Sequence, residues 1–148
     1  MANSATNISA YRKVDVETAS QGKIIVMLFN GAVQRVEEAK RLIGTNKYQT
    51  IHENLIKAQE IVTELRSSLD MQQGEVAKNL DRIYEYILHL LVKGNISKKP
   101  EPLDEAIDHL TTMRDTWKEA FAKIAEEGGA DRPAGANAHG GSALNIRG

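Results

Sequence analysis

The sequence predicts an all-α fold: an antiparallel up-down-up-down four-helix bundle with an N-terminal arm and a disordered C-terminal tail. Apolar residues recur at steps of three and four through four stretches of about 20 residues, the period of a helix that buries one face. The breaks between stretches are short and rich in Gly, Asn or Pro, and short connections join antiparallel neighbours. No stretch carries a competing strand alternation.

Residues 1–19 are polar and lack a sustained period, so they read as an arm. Ser20 stands where an N-cap belongs, its hydroxyl placed to accept from a free N–H of the first turn. The first helix then runs to about Leu42, with Ile25, Leu28, Ala32, Val36 and Ala39 on one stripe and Gly44 as its stop. The second helix has the cleanest seam, Tyr48, Ile51, Leu55, Ala58, Val62, Leu65 and Leu69, and Asp70 to Gly74 break it. In the third, Leu80, Ile83, Tyr84, Ile87, Leu88, Leu90 and Leu91 make a band too broad for one stripe, ended by Gly94-Asn95. Pro102 suits the first residue of the fourth, which carries Leu103, Ala106, Leu110, Met113, Trp117, Phe121 and Ile124 until Gly128-Gly129. The bundle domain is thus 20–127. The Gly- and Ala-rich stretch 128–148 cannot bury enough apolar surface to order itself, although Leu144 and Ile146 form a candidate docking motif.

Composition narrows the chemistry. The 148 residues suit one domain, and the absence of cysteine excludes a disulfide framework, a zinc knuckle and thiol catalysis. No apolar run approaches the ~20 residues of a membrane span, so a cytoplasmic protein without direct membrane insertion is expected. A net charge of -1 with interspersed signs gives no field for nucleic acid. The residues three before His52, His89 and His109 are Gln49, Tyr86 and Ala106, so the Glu-x-x-His pairs of a di-metal bundle are missing. No nucleophile, base and orienting acid can be placed together, and neither an enzyme nor a cofactor is expected. The alternative outside this class is a histidine-phosphotransfer bundle, from the run His89-Leu90-Leu91-Val92-Lys93-Gly94. One residue too many there turns the lysine and glycine by roughly 100° around the helix.

What stands out is surplus apolar surface. Six consecutive apolar residues, Ile24 to Phe29, point all round the helix start, so one neighbouring layer cannot cover them. Ile56 falls nearly opposite the second helix's seam and Ile61 at its flank, while Leu88 and Leu90 flank the third helix's stripe. Grooves of this kind on the outside of a bundle accept amphipathic helices. The same surplus leaves open a weak homodimer through the first helix.

The order Tyr11, Val16, Thr18-Ala19-Ser20, Lys23 to Phe29, Gly31-Ala32, Asn79-Leu80, Ile83-Tyr84-Glu85-Tyr86 and Trp117 resembles the FliS family of flagellin export chaperones. Gln21 stands where a proline is usual and Phe29 where a tyrosine is common. The resemblance runs from the arm through the fourth helix. It implies a cytoplasmic chaperone that binds the disordered C-terminal segment of flagellin in outer grooves, prevents its premature polymerisation, and delivers it to a component of the flagellar export gate. The groove residues expected are Ile24, Met27, Ile56, Ile61, Leu88 and Leu90. Ile8 and Tyr11 of the arm would cover a groove until the client arrives.

Overall fold

The computed structural model describes the backbone of residues 2–130 and the side chains of residues 20–126 apart from Gln73. Four helices follow one another: α1 (Ala2–Leu42), α2 (Tyr48–Ser67), α3 (Glu75–Ser97) and α4 (Pro100–Ala130), with a short 3-10 turn, Met71–Gln73, between α2 and α3. Each helix packs against its neighbours in sequence, and α1 also closes on α4. The result is the expected antiparallel four-helix bundle, and no helix among the described residues is long and apolar enough to cross a membrane.

Polar ties set the register on every side. Arg35 donates to Asn54 Oδ1 at 3.3 Å between α1 and α2. Arg66 pairs with Asp81 at 2.6 Å and, nearer the other end, Asn95 bonds His52 Nδ1 at 2.9 Å, both between α2 and α3. Tyr86 donates to Glu105 between α3 and α4. Arg114 donates to Asn30 Oδ1 at 3.0 Å and Lys40 pairs with Asp104 between α4 and α1. Inside this ring the core stacks Phe29 on Tyr84, ring centroids 6.4 Å apart, and Trp117 on Phe121 at 5.6 Å. The expected stripes fill it: Ile25, Ala32, Val36 and Ala39 from α1, Ile51 to Leu65 from α2, Tyr84, Ile87 and Leu91 from α3, and Leu103 to Trp117 from α4.

Helix ends follow local chemistry. Gly44 takes φ 92° beyond α1, and Gly74 takes φ 85° ahead of α3, conformations that side chains rarely adopt. Asp70 Oδ1 accepts from the Gln72 amide at 3.0 Å and starts the 3-10 turn.

Four expected boundaries are corrected, the simplest being the start of α4, which is Pro100 and not Pro102. Ser20 is not an N-cap but lies inside α1, which begins at Ala2. Residues 2–19 contain neither Gly nor Pro, so a helix nucleated by the packed part of α1 meets no breaker as it propagates backwards. Gly94 does not end α3. It sits within the helix because Leu103 occupies the space of its missing side chain, and α3 stops at Ser97, where Lys98 turns left-handed at φ 53° with its Nζ on the Asn95 carbonyl oxygen at 2.6 Å. Gly128-Gly129 fall within α4, since glycine weakens a helix without blocking it. The side chains of Ile8 and Tyr11 and the whole of 131–148 lie outside the described residues.

Candidate functional site: two apolar furrows beside α2

A helix in a bundle exposes the residues opposite its seam, and polar ones normally fill those places. On α2 and α3 they are partly apolar. Tyr48, His52 and Ile56 succeed one another at four-residue spacing on α2, and Leu88, Val92 and Ile96 do so on α3. Such rows run along a helix as ridges. The His52–Asn95 bond and the Arg66–Asp81 pair fix the antiparallel register, which brings Ile56 level with Val92. Tyr48, Ile56, Val92 and Ile96 are all exposed, Ile96 by 79%, while Leu88 is half-buried and rests on the core. A furrow with two apolar banks therefore runs between α2 and α3.

A second apolar surface lies on the other side of α2. Ile24 and Met27 of α1 are 54% and 68% exposed. Gly31 follows one turn after Met27, and a side chain placed there would meet only Ile61 Cδ1 of α2, at 3.6 Å. Ile61 itself is half-buried against the core. Of the residues singled out in the sequence, Ile24, Met27 and Ile61 thus gather between α1 and α2, and Ile56 and Leu88 between α2 and α3.

Leu90 belongs to neither furrow. It is 3% exposed and part of the core, because the α3 stripe is broad enough to include both Ile87 and Leu90 once α4 packs beside it. Tyr48 departs from expectation in the opposite direction, assigned to the α2 seam but lying outside. Val92 and Ile96 went unnoticed in the sequence. Their signal was the four-residue step from Leu88, hidden by reading the third helix as one broad band.

The three histidines among the described residues sit in separate settings. His52 lies in the α2/α3 furrow, where Asn95 holds it. Lys98 Nζ occupies Asn95 Oδ1 at 2.6 Å, so the Asn95 amide nitrogen is the donor and His52 Nδ1 the acceptor. His89 stacks on Tyr86 with ring centroids 6.3 Å apart, and His109 meets Tyr86 edge-on at 5.5 Å, with its Nε2 3.7 Å from Glu105. The bond to Glu105 raises the Tyr86 phenol pKa above its ordinary value. Burial raises that of Tyr84, against the opposing effect of its bond with Trp117. Among the described residues no group of three or more His, Asp or Glu is arranged to hold a metal ion. A recess of about 990 Å³ between α1 and α4 is lined mainly by charged residues, together with Gln34 and Ile107, and Lys40 is paired to Asp104 in it.

The family model for the flagellar protein FliS matches residues 2–124. The chain belongs to the FliS family. Among curated relatives, the flagellar secretion chaperone FliS of Vibrio cholerae is 33% identical over 116 residues, covering 75% of this chain and 85% of that protein. FliS of Bacillus subtilis is 34% identical over 113 residues, 76% and 84% of the two chains. FliSB of Pseudomonas aeruginosa is 34% identical over 115 residues, 72% and 89%. The family match takes in all four helices and both furrows, and ends six residues before the last residue of α4.

Proposed function

We propose that this chain is a cytoplasmic flagellar export chaperone that receives the C-terminal segment of flagellin as amphipathic helix laid into the furrows beside α2. The observation that carries the reading is the pair of apolar surfaces that the bundle leaves exposed, in a chain of the FliS family. A disordered client gains order as it buries apolar faces against such rows, so its assembly surfaces are occupied while it is held. Release to a component of the export gate then returns the client to its polymerising form. The family membership supports a role in flagellar export, and the exposure of Ile24, Met27, Ile56, Val92 and Ile96 supports recognition by apolar shape. The environment of His89, an exposed ring stacked on Tyr86, offers nothing that favours phosphotransfer.

Calorimetric titration with cognate flagellin and with flagellin lacking its C-terminal segment tests the proposal. Full-length flagellin should bind and the truncated form should not. The double substitution Ile56→Asp with Val92→Asp should weaken binding at least tenfold while leaving the helical circular dichroism intact. Equal binding of both flagellins, or an unaffected double variant, would overturn the reading.

A further inference from the structure

The α2/α3 furrow is apolar on both banks, yet an imidazole is set into one of them. His52 stands between Tyr48 and Ile56 on the α2 row, so a helix laid along that row must pass over it. The protonation pattern of this ring is fixed from the end of α3.

Lys98 is the one non-glycine residue with a positive φ among the described residues, at a C-cap where glycine or asparagine is the usual choice. What a lysine adds there is its ammonium, which curls back to donate to the Asn95 carbonyl oxygen and to Asn95 Oδ1, each at 2.6 Å. An ammonium only donates, so Oδ1 is the accepting end of that amide and Nδ2 is the end turned to His52. Asn95 Nδ2 then donates to His52 Nδ1 at 2.9 Å. A neutral imidazole whose Nδ1 accepts carries its hydrogen on Nε2. The ring is exposed, and among the described residues nothing accepts from Nε2.

We propose that the Nε2–H of His52 is a specificity-determining donor, which a client helix in the α2/α3 furrow must meet with a carboxylate side chain. This role rests on the client reading above and names the polar feature that a client sequence has to match. Direction is what selects the acceptor. From Lys98 through Asn95 to His52 every donor points the same way, and successive bonds polarise one another with a positive charge at their root. The free end is therefore a strengthened donor, suited to an anion and repelling lysine or arginine. Lys47 before α2 and Lys99 after α3 add positive charge at the same end of the furrow. Glu53, next to His52 in sequence, already accepts from Gln49 at 3.0 Å.

Mismatch is costly only once the client is in place. In the free chain water satisfies the exposed ring, but a helix lying between two apolar banks excludes that water. An apolar client residue over His52 would leave the donor buried and unpaired, a loss of about 5- to 150-fold in affinity. Residues three or four apart share one face of a helix, so the client pattern expected is apolar, acidic, apolar at successive steps of three or four, its apolar members seated on Tyr48 and Ile56.

The nitrogen shifts of the His52 ring in the full chain, recorded at about pH 8 where a free imidazole is neutral, read the tautomer without any client. A bare Nδ1 and a protonated Nε2 are expected, and the reverse tautomer would overturn the proposal. Calorimetry then compares the flagellin C-terminal peptide with variants in which one Asp or Glu at a time becomes Leu. Each peptide is titrated into the parent chain, His52→Phe and His52→Gln. One acidic position should cost the parent chain roughly tenfold and the His52→Phe chain less than about twofold, as direct contact between the two groups requires. His52→Gln keeps an N–H near the place of Nε2, so it should bind the unaltered peptide within about twofold of the parent and retain the loss at that position. A peptide that binds with no acidic position coupled to His52 would overturn the donor role and leave the client reading standing. An unaltered peptide that binds none of the three chains would overturn the client reading and the donor role with it.

Discussion

Gly31→Ala should stabilise the bundle, and Gly94→Ala should destabilise it. Both glycines lie inside helices, where alanine is favoured over glycine by about 0.5–1 kcal/mol. At Gly31 the new methyl meets Ile61 Cδ1 at 3.6 Å, an ordinary contact, so the full helical gain should appear. At Gly94 it lands 2.4 Å from Leu103 Cδ2 and 2.9 Å from Leu103 Cγ, the branch point of a side chain that is itself fully buried. Leu103 cannot swing aside without disturbing α4, and overpacking of this kind destabilises by about 1–3 kcal/mol. Less the helical gain, Gly94→Ala should lose roughly 0.5–2 kcal/mol. Urea denaturation followed by the fluorescence of Trp117, the chain's one tryptophan and 4% exposed, measures both. With a slope of about 2 kcal/mol per molar urea, Gly31→Ala should raise the midpoint by about 0.3–0.5 M. A lowered midpoint for Gly31→Ala would mean that α1 and α2 approach more tightly than the 3.6 Å contact describes. An unchanged Gly94→Ala would mean that Leu103 repacks freely. The first of these variants separates folding from docking, because the same methyl that firms the helix should hinder anything seated beside Gly31.

Three further outcomes follow from the packing. Trp117→Ala should destabilise by about 3–5 kcal/mol, read by circular dichroism, because it removes a buried ring stacked on Phe121 and takes a hydrogen bond from Tyr84; an unchanged denaturation curve would put the indole outside the core. Gln in place of His52, His89 or His109 should leave client affinity within about twofold, since apolar rows and not imidazole chemistry carry recognition; a tenfold loss in a folded variant would refute this. The hydrogen bond from Arg66 lowers the pKa of Asp81 below its ordinary value, so this pair stabilises the fold above the unfolded carboxylate pKa and ceases to do so as pH falls through the lowered one. Asp81→Asn should lose about 0.5–1 kcal/mol at pH 7, a value suited to a partly exposed pair, and the difference from the parent chain should shrink as pH falls through the lowered carboxyl pKa; a pH-independent difference would refute the charge argument.

The bundle was legible because each helix carries its own buried stripe. The α2 seam from Ile51 to Leu65 and the α4 seam from Leu103 to Trp117 appear in the structure almost residue for residue. Helix limits were less legible where they depend on other helices. Gly94 looks like a stop in sequence and is a packing site in space, and Ser20 looks like a cap only if the residues before it are not helical. The furrows were half legible. Ile24, Met27 and Ile56 were recognisable as apolar residues off the seam, whereas the side of α3 on which Leu90 lies is decided by α4, which a single helix does not encode. Val92 and Ile96 needed the register of α3 against α2, fixed by His52 and Asn95, before their pairing with Ile56 had any meaning.

Core and furrows draw on different faces of the same helices, and this separates stability from recognition. On α2, Ile51, Leu55 and Val62 are fully buried while Tyr48 and Ile56 are exposed, so the outer row is free to change without opening the inner one. On α1, Phe29, Ala32 and Val36 are fully buried and Ile24 and Met27 are not. A surface hydrophobe that touches no buried partner contributes within about 0.5 kcal/mol to stability, so folding alone gives little reason for such residues at six furrow positions. Leu88 and Ile61 are the joints between the two functions, half-buried against the core and facing a furrow. Changes there should alter folding and binding together, whereas the outer residues Ile24, Met27, Tyr48, Ile56, Val92 and Ile96 should report on the furrows alone.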